Sequence, residues 1–266
     1  MKKNKLIVSL ILVVLVVALV TIGCGKKEAA NTLQAIKDRG EMIAGLDDTF
    51  APMGFHDEAT GDLVGFDIDM GNEIAKRLGV KMTWVPTEWK GVIGALDAKK
   101  FDLIISGMSV TEERKAQIDF SLDYVNAGIG VVTRLGDNSI VSAADLSGKK
   151  IGTQTGSSGA TACTDLGLKD VQLYDQYPQA FMDLQNKRID ALIVDVTTAA
   201  HFVSKQADAF QVVNLRLVEE PYAIGMRKGD KELKAEIDKI LQAMSADGTL
   251  QGISKKWFGA DVIAVK

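Results

Sequence analysis

The sequence predicts an α/β fold in two lobes, on two observations. From Glu41 onward, short apolar runs alternate with longer segments of 3.6-residue periodicity, the pattern of βα units around parallel sheets. One such unit then occurs twice. Ala95-Leu96-Asp97-Ala98-Lys99-Lys100-Phe101-Asp102-Leu103-Ile104-Ile105 parallels Asp183-Leu184-Gln185-Asn186-Lys187-Arg188-Ile189-Asp190-Ala191-Leu192-Ile193, position by position, 88 residues later. Both copies run from a helix end through a basic pair to a hydrophobe, an Asp and a buried strand. One copy in each lobe explains the echo; a chance likeness between two ordinary βα units is the alternative.

Residues 42–46 read as the first strand. Residues 67–78 read as a helix: Asp67 caps it, Met70, Ile74 and Leu78 share a face, and Gly79 stops it. A strand over 81–85, a short helix over 92–98 and a buried strand over 101–106 follow. Further strands are expected over 147–153, 171–174, 191–194 and 211–213. Helices fill 180–186, 197–207, 231–246 and 250–258. Extending the echo past its strands sets Gly107 opposite Asp195 and Ser109 opposite Thr197. Both groups then stand just beyond the carboxyl end of a strand, where open α/β sheets bind ligands. Two lobes presenting these ends to each other would enclose a cleft suited to a small molecule.

The chain has 266 residues, a quarter of them charged and 47% hydrophobic, an ordinary globular balance. Lys2, Lys3 and Lys5 precede an apolar run from Leu6 to Ile22 broken only by Ser9 and Thr21, the layout of an export signal. As a helix this run would span roughly 25 Å, short of the ~30 Å hydrocarbon core; an uncleaved membrane anchor is the alternative. Ile22-Gly23-Cys24 looks like a bacterial lipoprotein cleavage site, with Thr21 where leucine is usual. Residues 1–23 are therefore expected to be a signal peptide, Cys24 a lipid attachment site and residues 24–32 a tether. Losing the three leader lysines from 31 basic and 35 acidic groups takes the net charge from −4 to −7. So acidic a chain repels phosphate backbones, which argues against nucleic acid as a partner. Cys163 would be left as the one thiol, so no internal disulfide is expected, and its Ala-Thr-Ala-Cys setting suggests a packed residue.

Gly65-Phe66-Asp67-Ile68-Asp69-Met70, running on through Ile74-Ala75 to Leu78, resembles the signature of the periplasmic polar-amino-acid-binding proteins, the family 3 solute receptors of ABC importers. The likeness continues through Ser106-Gly107-Met108-Ser109-Val110-Thr111-Glu112-Glu113-Arg114, Ile118-Asp119-Phe120-Ser121, Gly148-Lys149-Lys150-Ile151-Gly152, Arg188-Ile189-Asp190-Ala191 and Lys256-Trp257-Phe258. It covers about residues 33–258. It implies a periplasmic-binding-protein-like (Venus flytrap) fold with a discontinuous first lobe, residues 33–127 and 222–262, and a second lobe over 128–221. Two hinge crossings are expected, near residues 125–130 and 218–222.

By this resemblance Arg114 pairs with a ligand α-carboxylate, and a guanidinium fork suits that geometry. Backbone N–H groups near Gly107 and Ser109, ahead of a helix starting around Thr111, would add donors. The competing reading is a surface Arg paired with Glu112 or Glu113. Asp195 takes the position that accepts the α-ammonium; it can also cap the following helix. Ser158 would close on the carboxylate from the second lobe, beside Gln154. Phe50 and Trp89 match the aromatic pair that sandwiches the side chain. Asp47 matches a position that meets a side-chain cation in lysine- and arginine-binding relatives, although Asp47 and Asp48 can equally cap a turn. Gln154 stands where some glutamine-binding relatives have Lys.

These positions imply an exported, monomeric, lipid-anchored receptor that takes a basic L-amino acid, arginine- or lysine-like, and delivers it to a membrane permease. No catalytic residue, metal or cofactor is expected. The side chains at 67 and 69 suit a helix start better than a metal, and His56 and His201 lie in unrelated contexts. Specificity for glutamine or cystine stays open. So does a dehydratase on the same scaffold, which would need Glu88 or Glu220 as a general acid in the cleft.

Overall fold

Thr32 opens the first helix of the structure, a computed structural model that describes residues 31–265. The signal-peptide, Cys24 and most of the tether readings lie outside the described residues. Helix α1 (Thr32–Arg39) leads to strand β1 (Glu41–Leu46), then to a small antiparallel sheet of β2 (Thr49–Phe50), β3 (Gly54–His56) and β4 (Leu63–Val64). Helix α2 (Phe66–Leu78) buries Met70 and Ile74 and ends at Gly79, which takes the left-handed conformation at φ 77°. Strand β5 (Lys81–Pro86), a 3-10 turn at Trp89–Gly91, helix α3 (Val92–Asp97) and strand β6 (Leu103–Ile104) complete the first βα units.

The start of α2 differs from expectation. Its cap position is Gly65 at φ 142°, where a Cβ would lie 2.1 Å from the Met53 carbonyl oxygen. The helix begins at Phe66, whose ring packs on Tyr124 and on Phe258, and this turns Asp67 into the interior. Asp67 therefore caps nothing: it is fully buried, and its Oδ2 accepts a hydrogen bond from the Gly107 N–H at 2.6 Å. Asp69 points outward and receives Lys256 Nζ at 2.6 Å and Trp257 Nε1 at 2.7 Å.

After the short helix α4 (Glu112–Gln117) and strand β7 (Ile118–Phe120), the chain crosses into a second sheet through β8 (Gly128–Arg134). Strand β9 (Ile151–Gln154), α5 (Ser158–Asp165), β10 (Val171–Tyr174), α6 (Tyr177–Gln185), β11 (Ala191–Asp195), α7 (Val196–Lys205) and β12 (Phe210–Glu219) follow. Strand β13 (Gly225–Arg227) and helices α8 (Lys231–Ala246) and α9 (Thr249–Phe258) return to the first sheet, where Phe258 meets Phe66 at 5.2 Å.

Strand order is β5-β1-β6-β13-β7 in one sheet and β10-β9-β11-β8-β12 in the other. Neither sheet is purely parallel. β13 runs antiparallel to β6 and β7, and β8 antiparallel to β11 and β12, because the chain enters or re-enters each sheet there without a crossover helix. The two crossings pair with each other. The β8–β12 ladder reaches Gly128 opposite Glu219 and continues through Glu220 N–H to Ala127 O (3.3 Å) and Tyr222 N–H to Val125 O (2.9 Å).

The echo is present in the backbone. Lys99 and Lys187, at equivalent positions, are the only described non-glycine residues at positive φ, 59° and 60°. Each ends a helix, and the next residue closes it, Lys100 N–H to Ala95 O and Arg188 N–H to Asp183 O. Asp102 and Asp190 then repeat one staple. Asp102 Oδ2 accepts from the Ile43 N–H at 2.9 Å, and Asp190 Oδ2 from the Lys150 N–H at 2.8 Å.

Candidate functional site

Where the carboxyl ends of the two sheets face each other, a small, tightly closed cavity is lined by Asp47, Phe50, Trp89, Ser106, Gly107, Ser109, Arg114, Gln154, Ser157 and Asp195. The cleft is shut in this structure by bonds from one side to the other. Gln154 Nε2 donates to Asp47 Oδ2 at 2.6 Å, Thr198 Oγ1 to Ala51 O at 2.9 Å, and Lys90 Nζ reaches Asp175 at 3.2 Å.

Arg114 rises from the first turn of α4, whose cap Thr111 accepts the Arg114 N–H at 3.1 Å. Its guanidinium is buried, donates from Nη1 to Ser109 O (2.9 Å) and from Nη2 to Gly156 O (3.3 Å), and lies 5.2 Å over the Trp89 ring. Burial lowers its pKa against the pull of Asp195, Glu220 and Glu113, but a guanidinium keeps its charge. The surface-pair reading fails, since Glu112 bonds Lys115 instead.

Asp195 ends β11, an apolar strand buried along its length. It occupies the cap position of α7 without making a cap hydrogen bond. Its oxygens accept from two tyrosines, Tyr222 Oη on Oδ1 at 2.9 Å and Tyr177 Oη on Oδ2 at 3.3 Å. Burial pushes the carboxyl up to about 6, against the lowering pull of Tyr222 and Arg114.

Asp47 closes a turn and faces the cavity at once. Oδ1 closes a turn by accepting from Thr49 N–H (2.9 Å) and Oγ1 (2.6 Å), while the residue lines the cavity and holds Gln154. Among the described residues, Arg114, Asp195 and Asp47 are each at most 8% exposed, yet none makes an ion pair within 4 Å. Three buried charges left without ionic partners are costly unless a guest supplies them.

The remaining expected residues divide. Phe50 lines the cavity and packs toward Tyr177, ring centroids 6.0 Å apart. One face of Trp89 is taken by Arg114, and its Nε1 donates to Gly156 O at 3.1 Å. Gly107, at φ 51°, leaves room for Phe50, since a Cβ there would come within 2.6 Å of the ring. Its N–H is spent on Asp67, so it is not the ligand donor it was expected to be. Ser109 offers its carbonyl to Arg114. Ser158 lies outside this cavity, in an adjoining cleft that also includes Arg114, and Ser157 takes its place in the lining. Tyr177, Tyr222, Ser106 and Ser157 were missed. A buried carboxylate at a strand end demands donors, which is the one signal that pointed toward the tyrosines.

Glu88 is exposed and pairs with Lys90, away from the cavity lining. Cys163 is packed among Ile129, Val131 and Ile193, and burial pushes its thiol up to about 11. His56 and His201 face one surface groove, where His201 meets Phe55 at 5.4 Å, and no group of three potential metal ligands occurs among the described residues.

The model of the bacterial extracellular solute-binding proteins, family 3, matches residues 42–260. The chain belongs to that family. The L-cystine-binding protein TcyJ of Escherichia coli (strain K12) is 36% identical over 253 residues, 94% of each chain. A solved ancestral arginine-binding protein bound to arginine has a TM-score of 0.78 at 43% identity, over 83% of this chain and 99% of that one. The ancestral amino acid-binding protein AncCDT-1, a precursor of cyclohexadienyl dehydratase, has a TM-score of 0.80 at 35% identity, over 85% and 99%. Other family relatives are named as binding proteins of amino-acid ABC transporters. No helix of the described residues is long and apolar enough to cross a membrane.

Proposed function

We propose that this chain captures a basic L-amino acid, arginine- or lysine-like, between its lobes and presents it to the permease of an ABC importer. The observation that carries the reading is the set of three unpaired buried charges. A zwitterion supplies a carboxylate to Arg114 and an ammonium to Asp195, and it leaves the carboxylate of Asp47 for a third charge, a side-chain cation. Gln154 then sits beside that cation as a neutral neighbour. Residues 33–127 with 222–262 form one jaw and 128–221 the other, and a ligand favours closure through the contacts it gains there.

Cystine is the second reading, favoured by the likeness to TcyJ. It would bring a second ammonium for Asp47 but also a second carboxylate, and Arg114 is the one cationic residue in the lining. The charge count therefore favours the basic ligand. Of the two candidate acids of a dehydratase, Glu88 faces solvent beside Lys90 and Glu220 is not in the cavity lining, and such an enzyme would have no use for an ammonium acceptor at Asp195. Calorimetric titration with arginine, lysine, ornithine, histidine, glutamine and cystine tests the reading. Tightest binding of arginine or lysine supports it, and binding of no amino acid sinks it. Anchoring through Cys24 belongs to the same proposal; Cys24→Ser should free the protein from membranes, and a variant that fractionates like wild type would refute the anchor.

A further inference from the structure

The second crossing segment carries two side chains to the Asp195 side of the cleft. Tyr222 stands where that segment passes between the sheets. Its backbone bridges Ser109 and Val125, its ring is fully buried beside Tyr124, and its hydroxyl contacts Asp195 Oδ1 at 2.9 Å and Thr197 Oγ1 at 3.0 Å. Two residues earlier, Glu220 acts electrostatically on both Asp195 and Arg114. Its Oε2 is buried without a hydrogen bond among the described residues.

We propose that Tyr222 is a positioning residue for ammonium capture, aiming Asp195 and holding it in its acceptor form, while Glu220 on the same segment opposes it. This rests on the reading of Asp195 as the ammonium acceptor. The ground is steric and electrostatic. A carboxylate sealed at the end of an apolar strand is driven toward its neutral form, and a hydroxyl donor fixed at both ends by backbone pairing and a second hydrogen bond counters that drive. The other groups facing Asp195 are Arg114 from α4, which favours the ion, and the Tyr177 hydroxyl from α6 at 3.3 Å. Thr197 of α7 meets Tyr222 rather than the carboxylate.

The consequence is a pH limb with a defined sign. Neutral Asp195 cannot pair with an ammonium, so affinity is full above its pKa, which burial sets at about 6, and falls as pH drops through it. Below that point each pH unit should cost about tenfold in affinity. Removing the Tyr222 donor raises the pKa and moves the limb up; removing the Glu220 charge moves it down.

The test is titration of wild type, Tyr222→Phe and Glu220→Gln between about pH 4.5 and 8. The probe is whichever of L-arginine, L-lysine and L-cystine the wild type binds most tightly at the upper end. Tyr222→Phe keeps the ring and should move the onset of weakening up by about half a pH unit or more, whatever it costs in affinity above the limb. Glu220→Gln should move the onset down. A Tyr222→Phe protein that loses affinity equally at every pH, with the onset in place, overturns the proposal. So does an unmoved or raised onset in Glu220→Gln, which keeps the test decisive if Tyr222→Phe folds poorly. A wild type that binds none of the three probes fails one step earlier and sinks the amino-acid reading itself.

Discussion

Gln154 reaches across the cleft to Asp47 and donates to Oδ2 at 2.6 Å, so one end of the cavity is closed by a carboxylate that an amide holds. The same carboxylate spends its other oxygen on Thr49. A side-chain cation arriving there meets an anion that is already fixed in place and needs no reorganisation.

Asp47→Asn keeps the turn, since the amide oxygen still accepts from Thr49, and removes the charge. Affinity for L-arginine should fall roughly 10- to 100-fold, the worth of a hydrogen bond to a charged group, while affinity for L-glutamine changes by less than about threefold. Equal losses for the two ligands would show that Asp47 serves the turn alone.

Arg114→Ala should abolish most binding, by about 100-fold or more, because it strands the ligand carboxylate and removes the positive charge whose pull favours the ionised form of Asp195. Arg114→Lys should fall between the two, as a point charge cannot reproduce the bonds to Ser109 O and Gly156 O together with a fork onto the ligand. Calorimetry that finds Lys equal to wild type would remove the bidentate element from the reading.

Burial pushes Asp67 up to about 7, above the ordinary carboxylate range. A folded-state pKa raised above the unfolded one means that stability is greatest when the group is protonated and declines as pH rises from about 4 to about 7. Asp67→Asn keeps an acceptor for the Gly107 N–H and removes that decline. The variant should match wild type near pH 4.5 and exceed it by a few kcal/mol at pH 8, read by urea unfolding. A stability difference that is the same at both pH values would contradict the assignment.

Lys99 and Lys187 hold left-handed backbone that glycine adopts without strain. Lys99→Gly and Lys187→Gly should each be neutral to stabilising by up to about 1 kcal/mol, and their effects should add, since they follow helices that flank separate sheets. Thermal unfolding that shows clear destabilisation at either site would mean that the lysine side chain is needed there.

The α/β character, most of the helices and the repeated unit were legible because each rests on periodicity over several residues. Helix 231–246 and strand 171–174 are where their patterns put them. What escaped was short or directional. Strands β2 and β4 have two residues each, too few for any period to register. The antiparallel entry of β8 left no mark either, since an apolar run such as Ile129 to Val132 reads alike in both directions. In the cavity, Arg114, Asp195 and Asp47 were legible because they fall on positions of the family's motifs. Tyr177 and Tyr222 were not, because their partner Asp195 lies 18 and 27 residues away and only the fold brings them together. Ser157 and Ser158 differ by a single step at a helix start, finer than a pattern can resolve.

The pairing of the two crossings has a mechanical consequence. Two separate tethers would let the jaws twist, slide and gape independently. Val125 with Tyr222, and Gly128 with Glu219, instead make a stitched spine. A two-stranded ribbon bends easily across its face but resists shearing along its length, because sliding would break every rung at once. Opening therefore has one soft direction, like the cover of a bound book, and Tyr222 is stitched into the binding.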